Sequence, residues 1–444
     1  MRDLFVTVVV FGGLVFAVRY PFVGILLWCW LGYMNPHRLT FGYAYDIPFA
    51  LIVGIVTLIS VLVSREPKRL PIYPVTLVWM LFLAWTLITT AFAMYPDAAL
   101  DQCIKVMKIQ LFIFISMLLI HDRKRMNILV WVVALSIAFY GVRGGIHTIL
   151  VGGATRVYGP PGTFIEDNAA LAVALLMVVP LLRYLQLQTP YKWVRWGMWP
   201  IMLLSILAAL GSQSRGALIG LLAMVFVLWT KSRQKVLLAM VLVTLLPVMY
   251  QFMPESWHQR MGTIETYQED ASAMGRIYVW RLTVNLANDR ITGGGFEPWF
   301  PQTVALYGER NFDLENTENP DKVLEARAAH SIYFSVLGEH GWIGLVLFLA
   351  VGVMGWRSGS WVLRHIRQVP ELAWMRDLVA MIQVSLLAYA TGGAFLSLSY
   401  FDLYWQLVGL LIVCRAIATQ ELAGRVPAAS PAGRLPTSGP VLRA

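Results

Sequence analysis

Residues 330–356 read HSIYFSVLGEHGWIGLVLFLAVGVMGW. A transmembrane helix needs about 20 mainly apolar residues, and the part of this stretch from 331 to 356 meets that length. His330 stands directly before it, and the glycines Gly341 and Gly344 lie about three helical turns further along. The stretch therefore predicts a membrane-spanning helix that begins beside a histidine.

The rest of the chain has the same apolar character. Its 444 residues are 58% hydrophobic and 14% charged, whereas a soluble domain has about 25% charged residues. This composition excludes a soluble enzyme, a disordered chain and a nucleic-acid-binding module. Further apolar segments of spanning length lie near residues 4–31, 47–63, 74–94, 104–120, 127–150, 168–187, 196–211, 215–230, 236–253, 377–397 and 401–418.

These segments predict an all-α polytopic membrane protein with about 12 transmembrane helices. The number is twelve if the first segment, interrupted near Pro21, counts once, and thirteen if its two halves form a hairpin; we take twelve. The run after Met1 ends at Arg19-Tyr20-Pro21 without a small-residue cleavage site, so we expect a retained helix and no signal peptide.

Basic loops set the predicted orientation. They lie at residues 64–70, 121–126, 183–195, 231–235 and 357–376. Because such loops face the cytoplasm, both termini are expected there and the long segment 254–329 on the other, outward side. The domains are then 1–253, N-terminal helices; 254–329, a large, partly helical periplasmic loop; 330–420, C-terminal helices; and 421–444, a disordered cytoplasmic tail.

Neither the cysteines nor the histidines form a metal-binding pattern. Cys29, Cys103 and Cys414 are far apart, and the seven histidines include no HExxH and no paired spacing. The sequence therefore predicts no metal and no cofactor.

Several basic residues break the sidedness rule, because they lie in outward loops or at outward helix ends. They are Arg38, Lys105, Lys108, Arg143, Arg156 and Arg215. A charge at membrane depth costs about 2.5–3.5 kcal/mol on insertion scales and usually faces a cavity or a partner. The outward connections supply few acids, chiefly Asp97, Asp101, Glu166 and Asp167.

A diphosphate at the bilayer surface would match these cations in charge and geometry. Lys105 and Lys108 are three residues apart and share one helix face. Arg215 opens a helix, where free backbone N–H groups add anion-binding donors. The alternative is that each cation contacts lipid headgroups or a nearby carboxylate.

His330 is the candidate proton acceptor. A helix N-terminus disfavours the imidazolium form and keeps the ring neutral near pH 7. The alternative is a histidine that caps the helix or bonds within the loop. His340, ten residues further on, is expected to be packed or hydrogen-bonded.

Two motifs carry a family resemblance. His330-Ser331, nine further residues and Gly341-Trp342-Ile343-Gly344, together with Ser214-Arg215-Gly216 and some twelve spans, resemble the O-antigen ligases of the bacterial lipopolysaccharide pathway. The wider superfamily includes O-antigen polymerases and O-linked protein oligosaccharyltransferases. The resemblance implies a GT-C-like glycosyltransferase of the bacterial inner membrane, with its active site facing the periplasm.

The resemblance also implies the substrates and the roles. The donor would be a glycan on undecaprenyl diphosphate, the acceptor a sugar hydroxyl of lipid A–core, and the transfer inverting and metal-independent. His330 matches the motif histidine and Arg215 the motif arginine, while Arg276 and Arg281 match less sharply the basic residues of the outer loop. From the sidedness argument alone we add further candidates for the diphosphate: Arg143, Arg156, Lys105 and Lys108.

Other interpretations stay open at this point. A polymerase or a protein O-oligosaccharyltransferase would share the donor site. A transporter or flippase would predict an internal repeat, and the sequence shows none. Aromatic residues near the candidate site could stack on sugars or mark the membrane interface: Trp280, Trp299, Phe300, Tyr333 and Phe334. Asp402 and Tyr404 could orient an arginine or an acceptor sugar.

Overall fold

A computed structural model describes residues 1–231, 251, 268, 270–313, 320–324 and 328–424. The predicted span at 236–253, apart from residue 251, and the tail beyond residue 424 lie outside the described residues. Within these ranges the chain forms helices and turns, without strands. The α-helices are α1 (Arg2–Arg19), α2 (Pro21–Met34), α3 (Phe49–Val63), α4 (Pro74–Ala91), α5 (Pro96–Leu119), α6 (Arg123–Leu150), α7 (Asn168–Gln188), α8 (Lys192–Gly211), α9 (Arg215–Lys231), α10 (Ala271–Asp289), α11 (Pro301–Tyr307), α12 (Pro320–Leu324), α13 (Ile332–His365), α14 (Ala373–Gly392) and α15 (Asp402–Ala423).

Eight described helices are long and apolar enough to cross a membrane. They are α4, α5, α6, α7, α8, α13, α14 with its flanking turns, and α15. Three shorter apolar helices, α2, α3 and α9, accompany them. The described part of the chain is thus all-helical, as expected of a multi-pass membrane protein, while the number of twelve spans stays a prediction. Helices α10, α11 and α12 occupy the described part of the segment predicted as a large, partly helical loop.

The first apolar segment is a helical hairpin. Helices α1 and α2 meet at Tyr20 and pack antiparallel, with Gly13 against Leu27. Two helices therefore replace the single predicted one. The break falls where Pro21 begins α2, because proline lacks the N–H group that would continue α1.

Because of the hairpin, α1 begins at one end of the helical bundle and α15 ends at the other. We call the end at which α13 begins the His330 end. The Asp3 carboxylate accepts N–H bonds from Gly42 and Ala44, both 3.1 Å, in the loop at the His330 end. At the opposite end, the Tyr73 hydroxyl donates to Thr419 near the end of α15 (3.4 Å). Met1 and Gly424, the first and last of the described residues, therefore lie at opposite ends of the bundle, contrary to the prediction that both termini share one side, because the additional helix α2 reverses the direction of α1.

Helix α7 is the most deeply buried span. Of its apolar window 89% lies inside the protein, and it packs against α6, α8, α9 and α14. Its sequence has no acidic residue and is apolar on every face, as expected of a helix surrounded by other helices. The Asp167 side chain caps its first turn by accepting N–H bonds from Ala169 and Ala170. The loop that enters α7 is therefore held in place at the His330 end.

A kink at Gly341 divides α13. Gly341 has φ 66° and ψ −171°, a backbone conformation that is essentially restricted to glycine. The kink frees the carbonyls of Gly338 and Glu339, which accept N–H bonds from Gly294 (2.8 Å) and Gly295 (2.9 Å). The glycine-rich loop after α10 is thereby docked on α13, so these two helices have a fixed relation at the His330 end.

Candidate active site

Five ionisable side chains from four separate segments meet at the His330 end. They are Asp167 before α7, Arg215 at the start of α9, Asp270 and Arg276 at the start of α10, and His330 before α13. Their charges act on one another directly: Arg276 interacts with Arg215, Asp270 and Asp167, and His330 interacts with Arg276 and Asp167. Three of the predicted site residues, His330, Arg215 and Arg276, therefore belong to one cluster.

Arg215 and Asp270 form the ion pair of this cluster. Arg215 Nη2 donates to Asp270 Oδ2 at 2.7 Å, and both side chains are largely buried. Asp270 Oδ1 also accepts the N–H of Ser272 (2.8 Å) and so caps α10. Burial alone would raise the pKa of Asp270, but the hydrogen bond from Arg215 and those from the backbone outweigh it and hold the pKa below its usual value. Asp270 is therefore ionised near neutral pH and fixes Arg215 against the start of α10.

Arg276 forms no ion pair with the side chains that the structure describes. Its Nε is buried and has no hydrogen-bond partner among the residues that the structure describes. Burial, and then the nearby Arg215, lower its pKa, while Asp270 and Asp167 act in the opposite direction without forming an ion pair. A buried donor without an acceptor costs free energy, and a second guanidinium nearby adds repulsion. An anion bound between Arg276 and Arg215 would relieve both costs.

The backbone of His330 is held in an unusual conformation. Its φ is 44°, in the left-handed region that costs a non-glycine residue roughly 1–2 kcal/mol. Two contacts maintain it: the His330 N–H donates to Ser397 Oγ (3.1 Å), and Trp280 Nε1 donates to the carbonyl of Ala329 (2.7 Å). Trp280 in turn stacks on Phe334, with ring centroids 4.7 Å apart. Such strain at a residue that its surroundings fix is typical of a functional site.

The imidazole of His330 is kept neutral by its surroundings. Burial lowers its pKa from the ordinary 6.5, the positive charge of Arg276 lowers it further, and Asp167 opposes both. The sequence predicted a neutral ring from the helix N-terminus. Ser331 Oγ, however, already accepts the N–H groups of Tyr333 and Phe334 at this helix N-terminus. The causes of the lowered His330 pKa are instead burial and the charge of Arg276. The neutral ring can accept a proton near pH 7.

Lys105 lies in a neighbouring part of the same end. Its Nζ is 4.3 Å from the ring centroid of Phe164, in the loop that also carries Asp167. Its charge acts on Glu297 and Asp402. Burial raises the pKa of Glu297, and Lys105 partly offsets this. Lys108 is exposed on α5, one turn further along.

Three predicted arginines do not join the cluster. Arg281 pairs with Glu309 at 2.8 Å, because it lies five residues after Arg276 and so faces another side of α10. Arg143 is exposed in a groove between α6 and α8, and Arg156 is exposed in the loop after α6. The distribution of charges along the sequence assigns a residue to a level in the membrane but not to a face of its helix.

His340 is buried away from the cluster, as predicted. Its Nδ1 is 2.6 Å from Thr89 Oγ1, and its Nε2 is 2.8 Å from the hydroxyl of Tyr400, which also donates to Glu339. Both ring nitrogens have partners, so the ring has a packing role. Among the described residues no three His, Cys, Asp or Glu side chains are placed to hold a metal ion.

Two residues of the candidate site were not predicted from the sequence. Asp270 stands directly before the helical pattern of residues 274–288, and recognition of an N-cap aspartate would have found it. Ser397 had no such signal, because it lies in the connection between α14 and α15 and reaches His330 only through the fold. The sequence predicts that Trp280 stacks on a sugar or marks the membrane interface, but in the structure it stacks on Phe334 and donates a hydrogen bond to the carbonyl of Ala329.

Fold and site together define a polytopic helical membrane protein with two arginines, two aspartates and a neutral histidine clustered at one end. Comparison with family models identifies two regions: residues 1–189 match a family of unknown function, and residues 200–349 match the family described as O-Antigen ligase. Residues 200–349 therefore carry an O-antigen ligase domain, which confirms the resemblance of the sequence to the O-antigen ligase/polymerase superfamily. The second match contains Arg215, Arg276 and His330, and the first contains Asp167. A search of curated proteins gives no match.

Proposed function

We propose that the protein is an O-antigen ligase that transfers a polysaccharide from undecaprenyl diphosphate to a sugar hydroxyl of lipid A–core. The observation that carries the proposal is the buried, unpartnered Nε of Arg276 beside Arg215 and a neutral His330. The His330 end of the bundle would face the periplasm, and the eight apolar spans would place the site at the inner membrane.

The donor diphosphate would bind between Arg276 and Arg215. Guanidinium groups match phosphate oxygens in charge and in the spacing of their donors, and such charge-assisted bonds are about twice as strong as neutral ones. Arg276 gains an acceptor for its buried Nε. Arg215 is already oriented by Asp270, so it needs little reorganisation to bind the anion.

The reaction is an inverting displacement. The acceptor oxygen forms a bond to the anomeric carbon while the bond from that carbon to the diphosphate oxygen breaks, and the diphosphate leaves with the electron pair. The hydroxyl proton passes to the His330 imidazole. Arginines that stabilise the charge growing on the leaving group lower the barrier, and a placed base contributes about 10²–10⁴-fold. The negative charge of Asp167, which favours the protonated ring, would stabilise the imidazolium that forms.

Transfer by the purified protein tests this assignment. Lipid-linked glycan, core acceptor and a chelator are supplied to the wild type and to His330→Ala, and we expect transfer to be lost while donor binding stays. Arg276→Gln should weaken donor binding, whereas Arg281→Gln, on the same helix but paired with Glu309, should transfer normally. Normal transfer by His330→Ala, or equal effects of the two arginine variants, would contradict the site.

A loss-of-function strain distinguishes the ligase from its relatives. Free core with accumulated long donor chains supports the ligase. Core capped with a single unit would identify a polymerase, and intact lipopolysaccharide with unmodified exported proteins would identify a protein oligosaccharyltransferase.

A further inference from the structure

An apolar groove containing a single arginine lies between α6 and α8, separate from the candidate active site. It has a volume of about 520 Å³ and is open along the surface. The residues that line it are Leu135, Ala138, Phe139, Val142, Arg143, Ile146 and Ile201. Arg143 is the charged residue of this set, and its side chain is exposed on the outer surface of the helices.

The position of Arg143 along α6 sets its level in the membrane. Arg123 begins the helix at the basic end, and Arg143 follows 20 residues later, about 30 Å along the axis. This distance equals the usual thickness of the hydrocarbon core. With Arg123 at one headgroup layer, Arg143 lies at the other. The groove residues from Leu135 to Val142 then line about 10 Å of the adjoining leaflet.

The charge of Arg143 has no counterpart on the helices around it. Helix α6 packs against α2, α7 and α8, and none of these four helices contains an aspartate or a glutamate. More basic residues lie just beyond it. His147, one turn further on α6, bonds through Nε2 to Thr155 Oγ1 (2.8 Å), and Arg156 follows Thr155 directly. The end of α6 therefore presents a basic rim above an apolar groove.

We infer that this groove binds an anionic phospholipid of the surrounding bilayer, with its phosphodiester on Arg143 and an acyl chain along α6 and α8. One guanidinium matches one phosphodiester charge. A zwitterionic lipid would bring its own ammonium group towards a basic rim, so charge complementarity favours the anionic lipid. The inference concerns a site apart from the donor diphosphate, because Arg143 takes no part in the cluster around His330.

Lipid retention by the full-length protein tests the inference. Detergent-solubilised protein is mixed with equal amounts of phosphatidylglycerol and phosphatidylcholine, and bound lipid is counted by native mass spectrometry. A lysine or arginine near a membrane surface contributes about 1 kcal/mol towards an anionic lipid, so we expect about fivefold preference for phosphatidylglycerol. Arg143→Gln should remove this preference, and Arg143→Lys should restore most of it.

The matched control is Arg38→Gln, since Arg38 is also an exposed arginine at the His330 end and lies over the Tyr45 ring. It should keep the wild-type preference. Equal retention of both lipids by the wild type, or an undiminished preference in Arg143→Gln, overturns the inference. A phosphorylated glycolipid that displaces phosphatidylglycerol at equal concentration would reassign the groove to an acceptor. His330→Ala should still prefer phosphatidylglycerol, so the lipid site and the proposed transfer can fail separately.

Discussion

Replacing Gly341 by alanine should disrupt the contact between α13 and the glycine-rich loop. At φ 66° and ψ −171° an alanine is strained by roughly 1–3 kcal/mol. Its Cβ would also overlap the carbonyl oxygen of Ile291, which is backbone and cannot rotate away. Moving the loop breaks the two bonds from Gly294 and Gly295 to α13, at about 1 kcal/mol each. The whole effect is on the order of 3–5 kcal/mol, a large part of an ordinary folding free energy.

Thermal unfolding in detergent, followed by tryptophan fluorescence, measures this effect. Gly341→Ala should lower Tm by several degrees and expose residues 290–297 to protease. Gly197→Ala is the control, because Gly197 lies inside α8 with open space around it, and alanine there should be neutral or slightly stabilising.

Gly293 approaches the same contact from the other side. It has φ 62°, and a Cβ there would lie 2.7 Å from the backbone of both Gly338 and Gly341. Gly293→Ala should therefore be similarly destabilising, and the double variant should cost clearly less than the two single effects added, since both break one contact. A wild-type Tm and protease pattern for Gly341→Ala, or full additivity in the double variant, would refute the proposed docking.

Three further predictions concern the site. In the free enzyme kcat/KM should be constant while His330 is neutral and should fall as the pH drops through the lowered pKa of His330. Arg276→Gln removes a charge that lowers this pKa, so the fall of kcat/KM in acid should move to higher pH. An unchanged pH profile would show that Arg276 does not act on the ring. Asp270→Asn keeps an oxygen that can cap α10 but removes the negative charge paired with Arg215, and it should cost about 1–3 kcal/mol of stability at pH 7. Because the pKa of Asp270 is lowered on folding, this difference should vanish as the pH falls well below 3.8. A difference that persists in acid would show that the charge is not its cause. Trp280→Phe keeps the stacking on Phe334 but loses the hydrogen bond to the carbonyl of Ala329, the residue before His330. We therefore expect kcat to fall several-fold with little change in KM or Tm. An unchanged kcat would show that Trp280 does not position His330.

Much of the fold could be predicted because a membrane helix is determined by the apolar residues of its own segment. A run of about 20 apolar residues has to be helical in lipid, so α4 to α8 and α13 to α15 lie where the hydropathy places them. The structure of the first apolar segment was harder to predict, since two short apolar helices and one long interrupted helix have nearly the same composition. The break at Pro21 was visible, but only the packing of Gly13 on Leu27 shows that the halves form a hairpin.

The sequence by itself determined the membrane class and the superfamily resemblance and predicted His330 and Arg215 as site residues, since apolar length and short motifs are properties of neighbouring residues. Only the tertiary structure decided which cations share a site. Arg276 and Arg281 lie on one helix, yet one faces His330 and the other pairs with Glu309, because five residues of an α-helix set the two side chains about 140° apart around its axis. Asp270 and Ser397 come from distant parts of the chain, and their contacts with Arg215 and His330 exist only because the starts of α9, α10 and α13 lie beside the end of α14.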